Sequence, residues 1–234
     1  MKIIGHRGVA GLALENTISS IELARLLGVN AIEIDVRKTK DNHLVVCHDS
    51  DLSRIGKNNG KVSNLTLEEL QKVVLIDGQS FVPTLKNAIK AAGNTPLIIE
   101  IKSPGCIEQI IEILSLHPKA NISFASFKHS ELILLKKSGA TNPLIALEAT
   151  KPFDIVHIAK RDGFDGIGIK FWLLNPLTYI LAKRAKLSLY VYTVNNQLIG
   201  RLIQRLYPSV DICTDRPELF IKHPWIKIRK NIRR

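Results

Sequence analysis

Three acidic residues lie within two apolar segments of the kind that forms buried β-strands. Glu33 and Asp35 alternate with apolar residues in the segment Ala31–Val36, and Glu100 lies in the segment Leu97–Ile101. Alternate side chains of a strand share one face, so Glu33 and Asp35 should point the same way. Buried carboxylates cost free energy unless their charge is compensated, and three of them suit a hard divalent cation such as Mg²⁺ or Ca²⁺. The pattern therefore predicts that these three residues bind one divalent cation.

Two histidines and two basic residues stand at the ends of predicted strands, beside the carboxylates. His6 and Arg7 end the first strand, His48 ends a short apolar run, and Lys102 follows the third strand. A single histidine is more often structural than catalytic, but two of them beside a cation can supply the proton acceptor and the proton donor of a phosphoryl transfer. Arg7 and Lys102 add positive charge suited to phosphate oxygens. The residue types leave open which histidine is the acid and which is the base.

Three further groups could contribute to this site. Tyr192 is predicted to line the pocket, because its strand face also carries Tyr190 and ends at the same mouth. Glu15 and Asn16 either brace the metal-binding loop or cap the following helix, and for Asn16 capping is sufficient. The aromatic pair at 171–172 either forms an apolar wall for a lipid-like alcohol or packs on the rim, and packing is the commoner role.

The elements that must position these residues alternate between short β-type runs and helical patterns. Such alternation indicates a parallel sheet with crossover helices. The eight predicted strands are Lys2–His6, Ala31–Val36, Leu97–Ile101, Ile122–Ser126, Leu144–Glu148, Gly166–Lys170, Ser188–Thr193 and Val210–Thr214. They predict an α/β fold of the (β/α)₈ TIM-barrel type, for which about 250 residues are typical. An open doubly wound sheet is the alternative, but no Gly-rich dinucleotide fingerprint follows the first strand.

Sequence signals also mark the starts of helices. Asn16 precedes an amphipathic segment, and Thr66 and Glu69 have the spacing of a capping box. The pair Asn175-Pro176 is a cap followed by proline at the first helical position. These signals place helices between the predicted strands.

The second and third strands are separated by about sixty residues, more than one crossover needs. The segment 37–48 should extend the second strand and return, with a turn at Asp41-Asn42. A loop, a helix from Leu67 to about Val73 and a helix at Leu85–Ala92 follow. We therefore expect a small insertion at about residues 49–84 on the C-terminal rim of the barrel, where substrate loops lie.

Length and composition fit one domain. The chain has 234 residues, 45% of them hydrophobic, and no apolar run reaches the roughly 18 residues of a membrane span. Met1 leads directly into the first strand and leaves no room for a signal peptide, so a cytoplasmic location is expected. Cys47, Cys106 and Cys213 are odd in number and lack metal-type spacing, which indicates buried, reduced thiols.

Half of the formal net charge of +12 lies at one end of the chain. We expect a domain at 1–220 and a basic tail at 221–234, which holds six basic residues and no acidic one. Trp225 and the isoleucines of this tail could contact an anionic membrane weakly, whereas the simpler interpretation is a solvated terminus. No DNA- or RNA-binding motif is present, so no nucleic-acid partner is expected, and nothing indicates the oligomeric state.

The motifs and their order resemble the glycerophosphodiester phosphodiesterase family, in its short bacterial form with a small rim insertion. Each motif alone is weak, but the ordered set covers nearly the whole chain and is highly specific. The matching segments are His6-Arg7-Gly8, Glu15-Asn16-Thr17, Glu33–Val36, Lys40-Asp41, Val45–Asp49, Leu52, Arg54, Pro83–Leu85, Glu100–Lys102, Ser126-Phe127, Tyr192–Asn195 and Thr214–Pro217. Tyr192 stands where the family usually has Trp, and Leu14 where it has Pro.

This resemblance implies hydrolysis of a glycerophosphodiester to sn-glycerol 3-phosphate and an alcohol, with Ca²⁺ or Mg²⁺ as the cation. The metal ligands of the family match Glu33, Asp35 and Glu100. Its general acid and base match the two histidines named above, and its phosphate contacts match Arg7 and Lys102. In the route proposed for the family, a glycerol hydroxyl attacks phosphorus and water then opens the cyclic phosphate.

Two other functions are compatible with the sequence. One is lysophospholipase D-like action on a lysolipid, for which the basic tail would supply membrane contact. The other is a barrel that has lost catalysis and binds phosphorylated ligands. Such a protein should have lost its ligands, whereas both predicted histidines and all three predicted carboxylates are present.

Overall fold

The computed structural model describes residues 1–56 and 59–221, which form a closed barrel of eight parallel strands with one further strand outside it. The strands are β1 (Ile3–Gly5), β2 (Ala31–Lys38), β3 (Leu44–Val46), β4 (Leu97–Ile101), β5 (Ile122–Ser126), β6 (Leu144–Glu148), β7 (Gly166–Lys170), β8 (Ser188–Tyr192) and β9 (Asp211–Thr214). β1 pairs in parallel with both β2 and β9, which closes the barrel, whereas β3 runs antiparallel to the end of β2. The predicted (β/α)₈ TIM barrel is confirmed.

Helices lie between successive barrel strands and cover the outside of the barrel. They are α1 (Ile18–Leu27), α2 (Leu67–Gln71), α3 (Leu85–Ala92), α4 (Ile107–Leu116), α5 (His129–Lys137), α6 (Asp154–Asp162), α7 (Pro176–Arg184) and α8 (Gln197–Leu206). Thr66 and Glu69 form the predicted capping box at α2. Asn175 caps α7 and is followed by proline at the first helical position, as predicted.

The first helix begins at a different residue from the one that the sequence suggests. Thr17 is its N-cap, because the Thr17 hydroxyl accepts a hydrogen bond from the backbone N–H of Ser20. Asn16 is buried, has a φ of 56° and directs its amide towards β2. The interpretation of Asn16 as a cap is therefore wrong, since a tertiary hydrogen bond uses its side chain.

The register of the barrel strands brings the predicted metal ligands together. Asp35 is the Cα partner of Glu100 in the parallel β2–β4 pair, and Glu33 is two residues earlier on β2. An apolar layer fills the barrel interior, formed by Ile4, Ala31, Ile98, Ala125, Ile145, Leu147, Tyr190 and Cys213. Several of these residues precede a predicted site residue by two positions on the same strand. The site therefore lies above this layer, at the carboxyl-terminal mouth where TIM barrels carry their active sites.

The pairing of the last strand with the first fixes the position of the segment that follows it. Ile3 is the Cα partner of Ile212, and the backbone N–H of Lys2 donates to Asp211 Oδ1 over 2.6 Å. This register brings Asp215, immediately after β9, next to the end of β1.

The predicted rim insertion lies between β3 and α3 and has an apolar cluster of its own. Leu52, Ile55, Leu70 and Leu75 are buried in it. α2 ends at Gln71, about two residues before the predicted end, and Val73 packs against the cluster instead of continuing the helix.

Three expectations based on composition concern the cysteine thiols, a membrane-spanning segment and the C-terminal tail. The three cysteines are buried and none is in a disulfide, as predicted. Within the part of the chain that the structure describes, no helix has the length and apolar character that a membrane span requires. Nearly all of the predicted basic tail, residues 222–234, lies outside the described residues.

Candidate active site

A cavity of about 170 Å³ opens at the carboxyl-terminal mouth of the barrel. Its walls contain seven of the eight predicted site residues, His6, Arg7, Glu33, His48, Glu100, Lys102 and Tyr192. The eighth, Asp35, is buried beside them and is in contact with Arg7 and Lys102. A larger open groove of about 670 Å³ lies outside the barrel near α1 and α3, but it contains none of these residues. The structure therefore brings the whole predicted set together.

The three predicted metal ligands form a buried acidic group. One carboxylate oxygen from each of Glu33, Asp35 and Glu100 lies within 4.8 Å of the others. Burial and the negative charge of Asp35 raise the pKa of Glu33 to about 8 and also raise the pKa of Glu100. A divalent cation with oxygen ligands relieves this kind of repulsion. The donor set therefore fits a hard divalent cation.

Asp35 is held ionised in a fixed orientation. Burial would raise its pKa, but Lys102 and Arg7 keep the pKa below its ordinary value. Lys102 Nζ lies 3.2 Å from Asp35 Oδ1 and 2.7 Å from Glu100 Oε1, and Arg7 Nε lies 3.4 Å from Asp35 Oδ2. The Asn16 amide donates a 2.8 Å hydrogen bond to Asp35 Oδ2. Two cationic side chains thus compensate the charge of this buried carboxylate, and a neutral amide stabilises it by a hydrogen bond.

The loop after β1 is held against Glu33. The backbone N–H of Arg7 donates to Glu33 Oε2 over 2.9 Å, and that of Gly8 donates to the Glu33 carbonyl over 3.1 Å. Gly8 has a φ of 83°, which favours glycine. A Cβ at this position would also lie 2.4 Å from Ser20 Oγ and 2.7 Å from the Ser20 carbonyl carbon. Glycine is therefore needed where the loop passes α1.

His6 is paired with a carboxylate from the far end of the chain. Its Nδ1 donates to Asp215 Oδ1 over 2.6 Å, and Asp215 Oδ2 accepts a 2.6 Å hydrogen bond from the Asn195 amide. Its Nε2 lies 4.0 Å from Glu33 Oε2. Burial lowers the pKa of His6, but Asp215 and Glu33 outweigh burial and the pKa is raised. Asp215 thus orients the ring and favours its protonated form.

His48 lies in a different electrostatic environment. Its Nδ1 donates to Asp49 Oδ1 over 2.7 Å, and Arg37 donates two hydrogen bonds of 2.9 and 2.7 Å to its backbone carbonyl. Burial is the main reason that the pKa of His48 is lowered, although the charge of Asp35 opposes the change. Both histidines therefore have a carboxylate at Nδ1, but their pKa values shift in opposite directions.

A chain of ion pairs connects the rim insertion to the barrel mouth. Arg54 Nε donates to Asp49 Oδ2 over 2.6 Å, and the two terminal nitrogens of Arg54 donate to both carboxylate oxygens of Glu15. Glu15 Oε1 also accepts a 2.8 Å hydrogen bond from Arg7 Nη1. Glu15 is therefore a bracing residue. Through Arg54 it is connected to Asp49, the partner of His48, and it also binds Arg7, which follows His6.

Aromatic side chains form one wall of the cavity. The Tyr192 hydroxyl donates to the Glu148 carbonyl over 2.9 Å, and its ring lies 6.2 Å from that of Phe127. Lys102 Nζ lies 5.9 Å from the centre of the Phe127 ring. Trp172 is 61% exposed and is not among the residues that line the cavity.

The structure adds residues that the sequence analysis did not include in the site. Asp49, Asn195 and Asp215 position the two histidines through hydrogen bonds. All three lie in motifs that carry the family resemblance, and this position in the motifs is the sequence feature that could have indicated their role.

The assembled cavity has the groups needed to cleave a phosphodiester. It combines a carboxylate set that can hold a cation, two cationic side chains for a phosphate and two histidines for proton transfer.

Comparison with known proteins agrees with this chemistry. The Glycerophosphoryl diester phosphodiesterase family matches residues 6–219. A glycerophosphodiester phosphodiesterase of Caldanaerobacter subterraneus subsp. tengcongensis is 31% identical over 235 residues, which are 94% of this chain and 96% of that protein.

Solved structures show the same fold. Glycerophosphodiester phosphodiesterase from Thermotoga maritima has a TM-score of 0.80 and 26% identity, with 98% of both chains covered. An Oleispira antarctica phosphodiesterase, in complex with the product sn-glycerol-3-phosphate, has a TM-score of 0.86 and 23% identity over 100% of this chain and 97% of that one. The chain therefore belongs to the glycerophosphoryl diester phosphodiesterase family of hydrolases.

Proposed function

We propose that this enzyme hydrolyses glycerophosphodiesters to sn-glycerol 3-phosphate and an alcohol, with a divalent cation and two histidines as general acid and base. The observation that carries the proposal is one cavity lined by two carboxylates, two carboxylate-paired histidines and two cationic side chains, with the third carboxylate, Asp35, buried beside it. The product bound to the Oleispira antarctica phosphodiesterase supports the same substrate class.

Glu33, Asp35 and Glu100 would hold one cation, either Mg²⁺ or Ca²⁺. The fit rests on the closeness of their buried oxygens and on the raised pKa of Glu33, which reports an excess of negative charge. Such a cation, when bound, neutralises phosphate charge and lowers the pKa of a coordinated hydroxyl. Both cations prefer oxygen ligands, so the donor set admits either.

Arg7, Lys102 and Tyr192 would bind the substrate. The guanidinium and the ammonium supply donors and positive charge for the phosphate oxygens. The Tyr192 ring lies on the same cavity wall as Phe127, where it can contact the glycerol part. These contacts would fix the phosphorus between the two histidines and exclude bulk water from it.

The histidines would move protons in two steps. First, one accepts the proton of the glycerol hydroxyl that attacks phosphorus, while the other protonates the oxygen of the departing alcohol. Water then opens the cyclic phosphate with the two roles reversed, which yields sn-glycerol 3-phosphate and restores both histidines. Asp215 accepts a hydrogen bond from Nδ1 of His6, and Asp49 accepts one from Nδ1 of His48. The Nε2 atom of each histidine would therefore exchange protons with the substrate.

Replacing either histidine by alanine tests these roles. We expect His6→Ala and His48→Ala each to lower kcat by about 10²- to 10⁴-fold, because each removes one proton-transfer group. The assay is release of sn-glycerol 3-phosphate from glycerophosphocholine, with circular dichroism to verify the fold. His157→Ala on the exposed side of α6 is the matched control and should have wild-type kcat. Wild-type turnover in a His6 or His48 variant would exclude that residue from the reaction.

A further inference from the structure

Helices α7 and α8 expose a band of large apolar side chains on the outside of the barrel. Leu198, Leu202 and Leu206 follow one another at four-residue spacing along α8 and are 73%, 56% and 55% exposed. Leu177 and Ile180 are 52% and 44% exposed on α7. Among the described residues, the other six helices expose at most one large apolar side chain each. Among the described helices, a band of exposed apolar side chains is therefore confined to α7 and α8.

The chain segment that contains these two helices carries only basic charge. Residues 166–210, which contain β7, α7, β8 and α8, include six Lys and Arg residues and no Asp or Glu. Arg201 and Arg205 are exposed on α8 between the leucines, and Lys183, Arg184 and Lys186 are exposed at the end of α7. We call the exposed surface of α7 and α8 the α7–α8 face.

The two helices of this face are joined to each other and to the end of the described chain. The Tyr179 and Tyr207 rings lie 5.2 Å apart, and the Ser209 hydroxyl is 3.0 Å from the Tyr179 hydroxyl. On the inner side of α8, Phe220 packs so closely on Gly200 that a Cβ there would lie 2.2 Å from the Phe220 ring. These contacts hold α7 and α8 against each other and hold α8 against Phe220.

We propose that the α7–α8 face docks on an anionic lipid bilayer. A surface helix with exposed leucines and interspersed arginines has the composition that binds the headgroup region of a membrane. A bilayer complements both features at once, because its phosphates attract the cations and its acyl boundary accepts the leucines. Trp172, which is 61% exposed directly before α7, adds a side chain suited to the same interface.

Two other occupants of this face would leave its charge uncompensated. A second copy on a two-fold axis would bring the arginines of α8 towards the same arginines of its partner. Covering the face with residues 222–234 would bring six further basic residues next to Arg201 and Arg205. Charge complementarity therefore favours the anionic bilayer over a second copy of the chain and over residues 222–234.

The orientation of α8 relates this face to the cavity. Asn195, which holds Asp215 in the active site, lies two residues before α8 begins. The mouth-proximal end of the helix, at Leu198, is thus adjacent to the cavity rim. Docking would keep the cavity close to the membrane surface without covering it.

Vesicle co-sedimentation of the full chain tests this proposal. The probes are vesicles of phosphatidylglycerol and phosphatidylcholine in equal parts, with pure phosphatidylcholine for comparison. We expect the protein to sediment with the anionic vesicles and to be largely released from them by high salt. Replacing Leu198, Leu202 and Leu206 by serine should lower the partition coefficient at least about tenfold, because each exposed leucine contributes buried apolar area.

Matched variants separate the contributions of the leucines, the arginines and residues 222–234 to vesicle binding. Leu26→Ser/Leu116→Ser/Leu134→Ser removes three exposed leucines from other helices and should bind like wild type. Arg201→Gln/Arg205→Gln should weaken binding by about fivefold for each charge removed. Deleting residues 222–234 should leave binding that still depends on the α8 leucines. All variants should retain wild-type hydrolysis of soluble glycerophosphocholine, which shows that they fold.

Several outcomes would overturn the proposal. Wild-type binding by the serine triple variant of α8 would show that the leucines do not contact lipid. Equal loss of binding in the control triple variant would mean that no specific face is involved. A wild-type dimer that the α8 variant converts to a monomer, without vesicle binding by either, would assign the face to a second copy.

Discussion

At the scale of single residues, the two histidines differ more in charge environment than in geometry. Each donates from Nδ1 to a carboxylate, but the pKa of His6 is raised by Asp215 and Glu33, whereas that of His48 is lowered chiefly by burial. His6 therefore holds its proton to a higher pH than His48 does. Such a difference suits an acid and a base that act together.

Replacing Asp215 by asparagine should reverse the direction in which the pKa of His6 is shifted. The amide can still accept a hydrogen bond, but without the negative charge burial should lower the pKa of His6. We expect kcat to fall by about 10²-fold or more, since an analogous change in another carboxylate–histidine pair has a larger effect. Histidine titration by NMR and the pH dependence of kcat measure the change.

Asp49→Asn serves as the control for that experiment. It should shift the titration of His48 and leave that of His6 unchanged, because Asp49 pairs with His48 and Arg54 and with no other side chain among the described residues. An unchanged pKa of His6 in Asp215→Asn would show that the Asp215 carboxylate does not set it.

Glu33 makes the stability of the cation-free protein depend on pH. Between the ordinary carboxyl pKa and about 8, folded Glu33 retains a proton that the unfolded chain has released. The folded state then binds more protons than the unfolded state, so stability falls as pH rises through this window. We expect Glu33→Gln to have a higher Tm than wild type at the upper end of the window, measured by thermal unfolding with a chelator present.

Glu68→Gln is the matched control, because Glu68 is exposed and, within the described part of the chain, its carboxylate pairs with Lys72 alone. It should follow the wild-type dependence of Tm on pH. A Glu33→Gln variant with the wild-type slope would contradict the raised pKa of Glu33.

At the scale of elements, the rim insertion is fastened to the barrel by Arg54. This side chain is half-exposed and donates to Glu15 and Asp49, so it holds the partner of His48 from outside the cavity. Arg54→Ala should lower kcat by about 10- to 100-fold through misplacement of His48, with KM within about twofold of wild type. The stability cost should be only about 1 kcal/mol, because exposed ion pairs contribute little.

Steady-state kinetics and thermal unfolding test this expectation. Lys72→Ala removes an exposed ion pair of the same insertion that has no link to the site, and it should leave kcat unchanged. A parallel loss of kcat in both variants would point to general loosening of the insertion and not to positioning of His48.

The elements themselves could be predicted where one local signal dominates. The apolar runs at Leu97–Ile101, Ile122–Ser126 and Leu144–Glu148 form strands with the predicted ends, because alternation and flanking polar residues agree there. α2 ends early where Val73 packs against the insertion cluster, a tertiary contact that its local sequence does not encode.

At the site, too, the features that could not be predicted depend on tertiary contacts. Asp49 is adjacent to His48 in the sequence, so its pairing could have been inferred. Asp215 is 209 residues from His6, and only the pairing of β9 with β1 brings them together. For Asn16 the sequence leaves capping and bracing open, because a cap needs only local sequence, whereas its hydrogen bond to Asp35 requires the folded barrel.

At the scale of the whole molecule, charge is distributed unevenly over a symmetric fold. Barrel closure concentrates buried carboxylates at one mouth, where they are held by Arg7 and Lys102. The exposed basic residues of α7 and α8 lie on the outside of the barrel. The same architecture thus separates the proposed cation and phosphodiester site at the mouth from the proposed lipid-docking surface on the outside.

The most direct test of the account is sn-glycerol 3-phosphate release from glycerophosphocholine before and after chelation, with Mg²⁺ or Ca²⁺ then added back. The account predicts that chelation abolishes release and that at least one cation restores it in wild type. Restoration should fail in Asp35→Asn and Glu100→Gln, but succeed in the exposed control Glu68→Gln. Full activity after chelation, or in the Asp35 and Glu100 variants, would contradict the central claim that these acidic residues hold a catalytic cation.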